Sequence, residues 1–210
     1  GSAPGWIFIV MGKDSRGNTY NRLIPINGGL GAMPKKDGMI ATFPSNMSNT
    51  PLEVVEDSMP MIMESKAVIP NSAGSGKYRG GFGQCVTFRA TGPIIFSIVA
   101  ARILYPPEGL LGGSPGRGGK ICLNSEEIVP GDGQLLPGDV IAFESPGGGG
   151  LHPPTQRAVE AVIEDVQDGL VSIQHAASDY GVVINSETLE ADLDATERLR
   201  ALIDGNDEDR

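Results

Sequence analysis

Glycine and proline stop almost together in this chain. All 16 prolines and 27 of the 30 glycines precede Thr155, the three later glycines being Gly169, Gly181 and Gly205. Proline breaks helices and glycine weakens them, so the first 154 residues are rich in turns, while the remainder is free to form helices. Charge divides at the same place: residues 1–154 carry 12 Lys+Arg against 12 Asp+Glu, and residues 155–210 carry 4 against 14, so the net charge of −10 belongs to the second part. The reading is a Gly/Pro-rich β domain over 3–154 followed by an acidic helical carboxy-terminal region over 155–210. Gly1 and Ser2 read as residues added ahead of the natural sequence and are set aside.

In the first part, short apolar runs alternate with turn signals. "WIFIVM" (6–11), "MIMESKAVI" (61–69), "CVTFRA" (85–90), "IIFSIVAA" (94–101), "KICL" (120–123) and "DVIAFE" (139–144) are the expected strands. Val86, Phe88 and Ala90 alternate with Thr87 and Arg89, the pattern of a half-buried antiparallel strand, whereas "IIFSIVAA" lacks alternation and reads as buried on both sides. The fold class is mainly β, an antiparallel sandwich or barrel-like core with a small helical region, α+β overall.

In the second part, Val159, Val162, Ile163, Val166 and Leu170 form one helical stripe ending near Gly169. Ser172 is the expected cap of a short helix stopped by Gly181, with Ile173, Ala176, Ala177 and Tyr180 inward. "VVIN" (182–185) reads as a strand. Asp194 and Glu197 read as a capping box for a last helix burying Leu199, Leu202 and Ile203, and the final seven residues read as frayed.

Several chemistries lack their residues. No apolar run reaches 18 residues, so no membrane span is expected. The acidic balance argues against nucleic acid and anionic membrane as partners. Cys85 and Cys122 have neither zinc nor disulfide spacing, which makes a reducing, cytoplasmic setting the default. His152 and His175 have no partner at metal-ligand spacing; His175 lies opposite its helix's apolar stripe and is expected to face water. "NSAGSGKYRGG" resembles a phosphate loop, but Asn71 stands where its first glycine belongs and Tyr78 where Ser or Thr belongs. The glycines 147–150 lack dinucleotide spacing, so they read as a backbone device, through positive φ or close chain packing.

Three residues remain as binding candidates. Arg79 and Gln84 lie in "KYRGGFGQ" (77–84): a guanidinium grips a carboxylate or phosphate with two bonds, and Gln84 can bond an amide. The bland alternative gives Arg79 an acidic neighbour and makes Gly80, Gly81 and Gly83 a bulged turn. Arg117 sits in "GLLGGSPGRGGKICLN" (109–124), read as a hairpin with Pro115 and Gly116 at its tip and, with Lys120, a possible anion-facing loop. No metal ligands are assigned.

The order of motifs carries more than any one of them. "GWIFIVMGKDSRGNTY", "NGGLGAMPKKDG", "YRGGFGQ", "GLLGGSPGRGG", "PGDVIAFESPGGGG" and "DGLVSIQHAASDYGVVIN" follow one another as in the carboxy-terminal part of the hydantoinase B/5-oxoprolinase family, which the chain resembles over nearly its whole length. The resemblance implies a subunit, or fused half, of an ATP-dependent amidohydrolase that opens cyclic amides such as hydantoins or 5-oxoproline. It implies a hydantoinase A-type ATP-binding partner, with ATP and a divalent metal in the complete enzyme but neither bound by this chain, and it leaves room for an oligomer. A related acetone- or acetophenone-type carboxylase subunit, or a non-catalytic assembly module, are the rival readings. Members of the family carry a longer amino-terminal portion holding His and Asp metal ligands, so this chain, inactive alone, reads as a separate part. Where relatives follow the four glycines with a Tyr-Gly-Asp-Pro-like sequence, this chain has Leu151, His152, Pro153 and Pro154. On this reading Arg79→Ala alters kinetics and leaves the fold intact.

Overall fold

A computed structural model describes residues 1–2, 5–13, 17–42 and 51–207. Two antiparallel sheets face each other. One has four strands in the order β2 (Thr19–Ile26), β1 (Trp6–Lys13), β5 (Ile94–Val99), β8 (Asp132–Leu135). The other has five, in the order β3 (Met61–Val68), β4 (Gln84–Ala90), β9 (Val140–Glu144), β6 (Lys120–Leu123), β7 (Glu126–Glu127). The mainly β sandwich expected from the sequence is the fold observed. Trp6, Phe8 and Val10 point inward from β1, and Val86, Phe88 and Ala90 from β4. Phe8 lies at the centre, 4.9 Å from the Phe143 ring and 6.0 Å from those of Phe88 and Phe96. Burying each such side chain contributes about 1.5–3 kcal/mol.

Several elements differ from expectation. Strand β2, "TYNRLIPI", was hidden by its polar residues and Pro25, which a strand tolerates at an edge, and β2 is an edge. The short β7 and β8 and helix α1 (Leu52–Ser58) carry too few periodic residues to register. "IIFSIVAA" is buried on one face only: Ile94, Phe96 and Ile98 enter the core, while Ile95 and Val99 are exposed. "VVIN" forms a single bridge, Ile184 to Ala191, rather than a strand. No described helix is long and apolar enough to cross a membrane.

Helix α2 (Val159–Gln167) presents the expected stripe, and α3 (Ile173–Tyr180) is capped by Ser172 and ended by Gly181 in the left-handed conformation. These helices, Phe82, Val171, Val182 and Ile184 form a second hydrophobic cluster. Helix α4 (Leu193–Asp207) takes its cap from Asp192, whose carboxylate accepts from the Ala195 N–H, and not from Asp194. Leu202 is exposed, and the helix continues to Asp207 where fraying was expected; residues 208–210 lie outside the described part.

Between the sandwich and the helices lies the feature that explains the glycines. The run Gly147–Gly150 is surrounded by main chain. A Cβ on Gly147 would lie 1.8 Å from Ser72 O, on Gly148 1.9 Å from Leu30 O, on Gly149 2.1 Å from Glu108 O, and on Gly150 2.0 Å from Ser75 O. None of the four has a positive φ, so close packing and not turning is what selects glycine, as at the axis of a collagen triple helix. The neighbouring segments are glycine-rich for the same reason: a Cβ on Gly80 would meet Gly148 O at 1.9 Å, and one on Gly81 would meet Met39 O at the same distance. The stretch 80–83 is therefore part of this array and not a bulged turn; the irregularity in the strands lies between Met63 and Ser65. Nor is 109–124 a hairpin. Gly116 N–H donates to Pro107 O and Arg117 N–H to Ser72 O, which threads the segment through the array. Gly1 and Ser2 pack here too, with Ser2 Oγ accepting from the Gly31 N–H at 2.9 Å.

Candidate functional site

The glycine array decides whether a phosphate can be cradled. A phosphate loop needs free N–H groups, and three of the four glycines donate to Arg117 O, Gly81 O and Ser114 O at 3.1, 2.8 and 2.9 Å, while Gly149 donates at 2.9 Å to Gly1 O, one of the two residues set aside above. A nucleotide phosphate does not fit this run. Among the described residues no three His, Cys, Asp or Glu side chains are grouped so as to hold a metal ion.

Two polar constellations remain. The first is a buried ion network that ties the helices to the array. Arg79 Nε donates to both oxygens of Asp165 at 2.9 and 3.0 Å, and its guanidinium lies over the Phe82 ring, 4.7 Å from the centroid. Arg157 donates to Asp37 at 2.9 and 2.8 Å and to Asp165 at 2.9 Å. The Arg157 and Asp165 side chains are only 5% and 6% exposed. Burial acts to lower the Arg157 pKa, but the hydrogen bond and charge of Asp37 with the charge of Asp165 outweigh it and raise it. Helix α4 joins through Arg200, which donates to Tyr180 O and Arg157 O at 3.0 and 2.8 Å.

Tyr180, buried beneath Arg157, has its phenol pKa pushed well above the usual 10.0, chiefly by desolvation, with the Arg157 charge opposing. A raised folded-state pKa favours the protonated form, so this contribution is complete below pH 10.0 and fades as pH rises beyond it. Thermal melts from roughly pH 9 to pH 11 should show Tm falling with pH, and Tyr180→Phe should reduce that slope.

The second constellation is a cleft of about 550 Å³ between the array and helices α3 and α4. Ser114 and Arg117 line one side, His175 and Asp179 another, and Thr155 and Asp204 the end. Asn71 places the imidazole. Its backbone is left-handed, its Oδ1 accepts from the Ser172 N–H at 2.8 Å and its Nδ2 donates to Ser172 Oγ at 3.3 Å. Ser172 Oγ in turn bonds His175 Nδ1 at 2.9 Å. His175 is therefore half-buried in a cleft wall and does not simply face water. With Nδ1 engaged, Nε2 is the nitrogen left to meet a ligand. Thr155 Oγ1 donates to Asp204 at 2.7 Å, which closes that end.

The three sequence candidates are not brought together. Arg79 is held in the ion network. Gln84, 2% exposed, donates from Nε2 to Asn27 O at 2.8 Å and lies beneath the sandwich edge. Arg117 reaches the cleft: its side chain is 47% exposed and paired with Glu144. Sequence reasoning missed Asp37, Asp165 and Arg157, whose pairing joins residues 86 and 120 positions apart. One signal was present: Asp165 flanks the apolar stripe of α2 where a solvated face would not begin.

Comparison with known proteins takes the fold further. The hydantoinase B/oxoprolinase family description matches residues 2–154, well over half of the chain. The chain belongs to the hydantoinase B/oxoprolinase family. The B-type subunit of a putative D-/L-hydantoinase from a Pseudomonas species is 32% identical over 204 residues, covering 91% of this chain and 34% of the relative. The nucleotide-free structure of an acetone carboxylase superposes on all of this chain and 34% of its own, with a TM-score of 0.83 at 19% identity. The crystal structure of the ATP-dependent caprolactamase from Pseudomonas jessenii covers 95% of this chain and 38% of its own, with a TM-score of 0.77 at 24% identity. At such identities the two structures establish the fold. The chain spans about a third of the length of the hydantoinase relative and of each of the two structures.

Proposed function

We propose that the chain is the carboxy-terminal β part of a hydantoinase B-type subunit in an ATP-dependent enzyme that opens cyclic amides, working with an A-type ATP-binding subunit. The observation that carries this is the family match over residues 2–154, joined to a 32% identical relative named as the B-type subunit of a hydantoinase. The consumed N–H groups of Gly147–Gly150 support the division of labour, since they leave phosphate handling to another part of the assembly. Within it this chain supplies a rigid frame and one polar cleft. Arg117 and His175 are the groups there with capacity to spare. Arg117 offers a cation suited to a carboxylate, the group released when a cyclic amide opens, and His175 Nε2 offers a hydrogen bond.

Reconstitution tests this. The chain, the rest of a hydantoinase B-type subunit and an A-type subunit together should hydrolyse ATP only when hydantoin, 5-oxoproline or caprolactam is present, and the chain alone should not. In that mixture Arg117→Ala should lower kcat and kcat/KM by about tenfold, as expected for loss of one charge-assisted contact to the carboxylate that forms on ring opening. Turnover by the chain alone would overturn the proposal, as would a stable complex without activity, which is the behaviour of an assembly module. Bicarbonate-dependent consumption of acetone or acetophenone in place of ring opening would identify the carboxylase reading.

A further inference from the structure

The outer face of the four-stranded sheet is apolar, and this is unusual for a strand set that already buries its other face. Side chains alternate along β1, so Ile7, Ile9 and Met11 project away from the core that receives Trp6, Phe8 and Val10. The register lines them up with aliphatic neighbours. Ile7 stands between Pro25 and Val99, Ile9 between Leu23 and Ser97, and Met11 between Asn21 and Ile95. Leu23, Ile95 and Val99 are 50%, 56% and 58% exposed, and none of these residues belongs to the core cluster. Across β2, β1 and β5 the three rows hold no ionised side chain; polar and charged groups stand at the margins, Asn21 on β2, Lys13 beyond Met11, and Asp132 opposite Ser97 with Gln134 opposite Ile95 on β8. A contiguous aliphatic patch with a polar rim marks a surface that another element covers.

We infer that this sheet face docks the remaining portion of a hydantoinase B-type subunit, with Ile7, Ile9, Met11, Leu23, Ile95 and Val99 buried beneath an apolar layer. The inference rests on the proposed function in one respect, that this chain is a part of such a subunit. Two observations select that occupant. This fold makes up 34% and 38% of the longer chains into which it superposes, so in those chains about twice its length of further polypeptide is joined to it. Over β2, β1 and β5 the patch is aliphatic like a domain core, with charge confined to its margin at Lys13 and Asp132, whereas interfaces between separately stable proteins are depleted of charge only at their centres and are otherwise as polar as ordinary surface. Charge agrees, because the acidic surplus lies in residues 155–210 and not on this sheet.

The test uses this chain and a second polypeptide, the two-thirds of the Pseudomonas hydantoinase relative that the chain does not match, followed by sedimentation velocity and titration. The two should form an equimolar complex. The double variant Ile95→Glu/Val99→Glu should weaken it by about 100-fold or more, and Leu23→Glu, on another strand of the same face, should weaken it by at least about tenfold. Melting temperatures should stay close to the parent's, because all three positions are half exposed. Leu104→Glu, at a loop residue 84% exposed, should leave binding unchanged. The inference is overturned if no complex forms, if the sheet variants bind as tightly as the parent, or if the parent chain pairs with itself and the same variants abolish that pairing. A complex that depends on this face but shows no cyclic-amide-dependent ATP hydrolysis with an A-type subunit would leave the docking inference standing and remove the proposed function.

Discussion

Gly148→Ala is expected to prevent the native array from forming. The added methyl would lie 1.9 Å from Leu30 O and 2.3 Å from its carbonyl carbon, and both are main-chain atoms fixed by the Leu30 pairing with Met39. No rotamer change relieves contact with a backbone. Separating the segments would break the bonds from Gly148 N–H to Gly81 O and from Gly74 N–H to Gly148 O, both 2.8 Å. Overpacking at deformable sites costs about 1–3 kcal/mol, and two buried, unsatisfied backbone groups at about 1–3 kcal/mol each bring the total to about 3–9 kcal/mol, comparable with the whole stability margin of many domains. The expected result is a chain lost to the insoluble fraction, or a Tm lowered by at least about 15 °C. Gly205→Ala is the internal contrast: it lies in helix α4 with nothing within 4 Å of the added atom, and should stabilise by up to about 1 kcal/mol. A Gly148→Ala chain melting like the parent would refute the packing account of the glycines.

Asp165→Ala carries the second large effect. Its carboxylate neutralises both Arg79 and Arg157, whose side chains are 11% and 5% exposed, and Asp37 alone cannot balance two buried guanidinium groups. Removing one member of a buried ionic network costs about 3–5 kcal/mol, because the opposing charge remains desolvated. Chemical denaturation should show that loss, and Arg157→Met in the same chain should recover part of it. If the double variant were as unstable as the sum of the two singles, the coupling would be absent and the network would not hold the helices down. The same geometry corrects the expectation that Arg79→Ala leaves the fold intact: Arg79 supplies the link between the array and α2.

How much of this was legible beforehand differs by residue type. The sandwich could be read because Trp6, Phe8 and Val10 alternate with outward residues and because Val86, Phe88 and Ala90 do the same; a period of two is a local property. Helices α2 and α3 were readable from the stripe of Val159 to Leu170, the Ser172 cap and the Gly181 stop, all within a few positions of one another. The glycine run showed that something unusual occurred at 147–150, but not what, because its partners Ser72, Leu30, Glu108 and Ser75 are distant in sequence and contribute main chain only, which leaves no side-chain signature. The same distance hid the Asp37–Arg157 pair. The cleft was legible only in part: Arg117 was named from its loop, whereas the placement of His175 depends on Asn71, 101 positions away from Ser172.

The array also orders the events by which the molecule assembles. Its contacts join segments widely separated along the chain, as in the Ser145 bond to Asn27 O across 118 residues and the Arg157 bond to Asp37 across 120. Closing such loops loses entropy before any contact compensates, and glycine segments bring no hydrophobic collapse of their own. The Phe8–Phe143 contact closes a loop just as long, but there hydrophobic burial compensates, so the aromatic layer is expected to condense first and the array last: Phe143→Leu should slow folding, whereas substitutions in the array should chiefly speed unfolding.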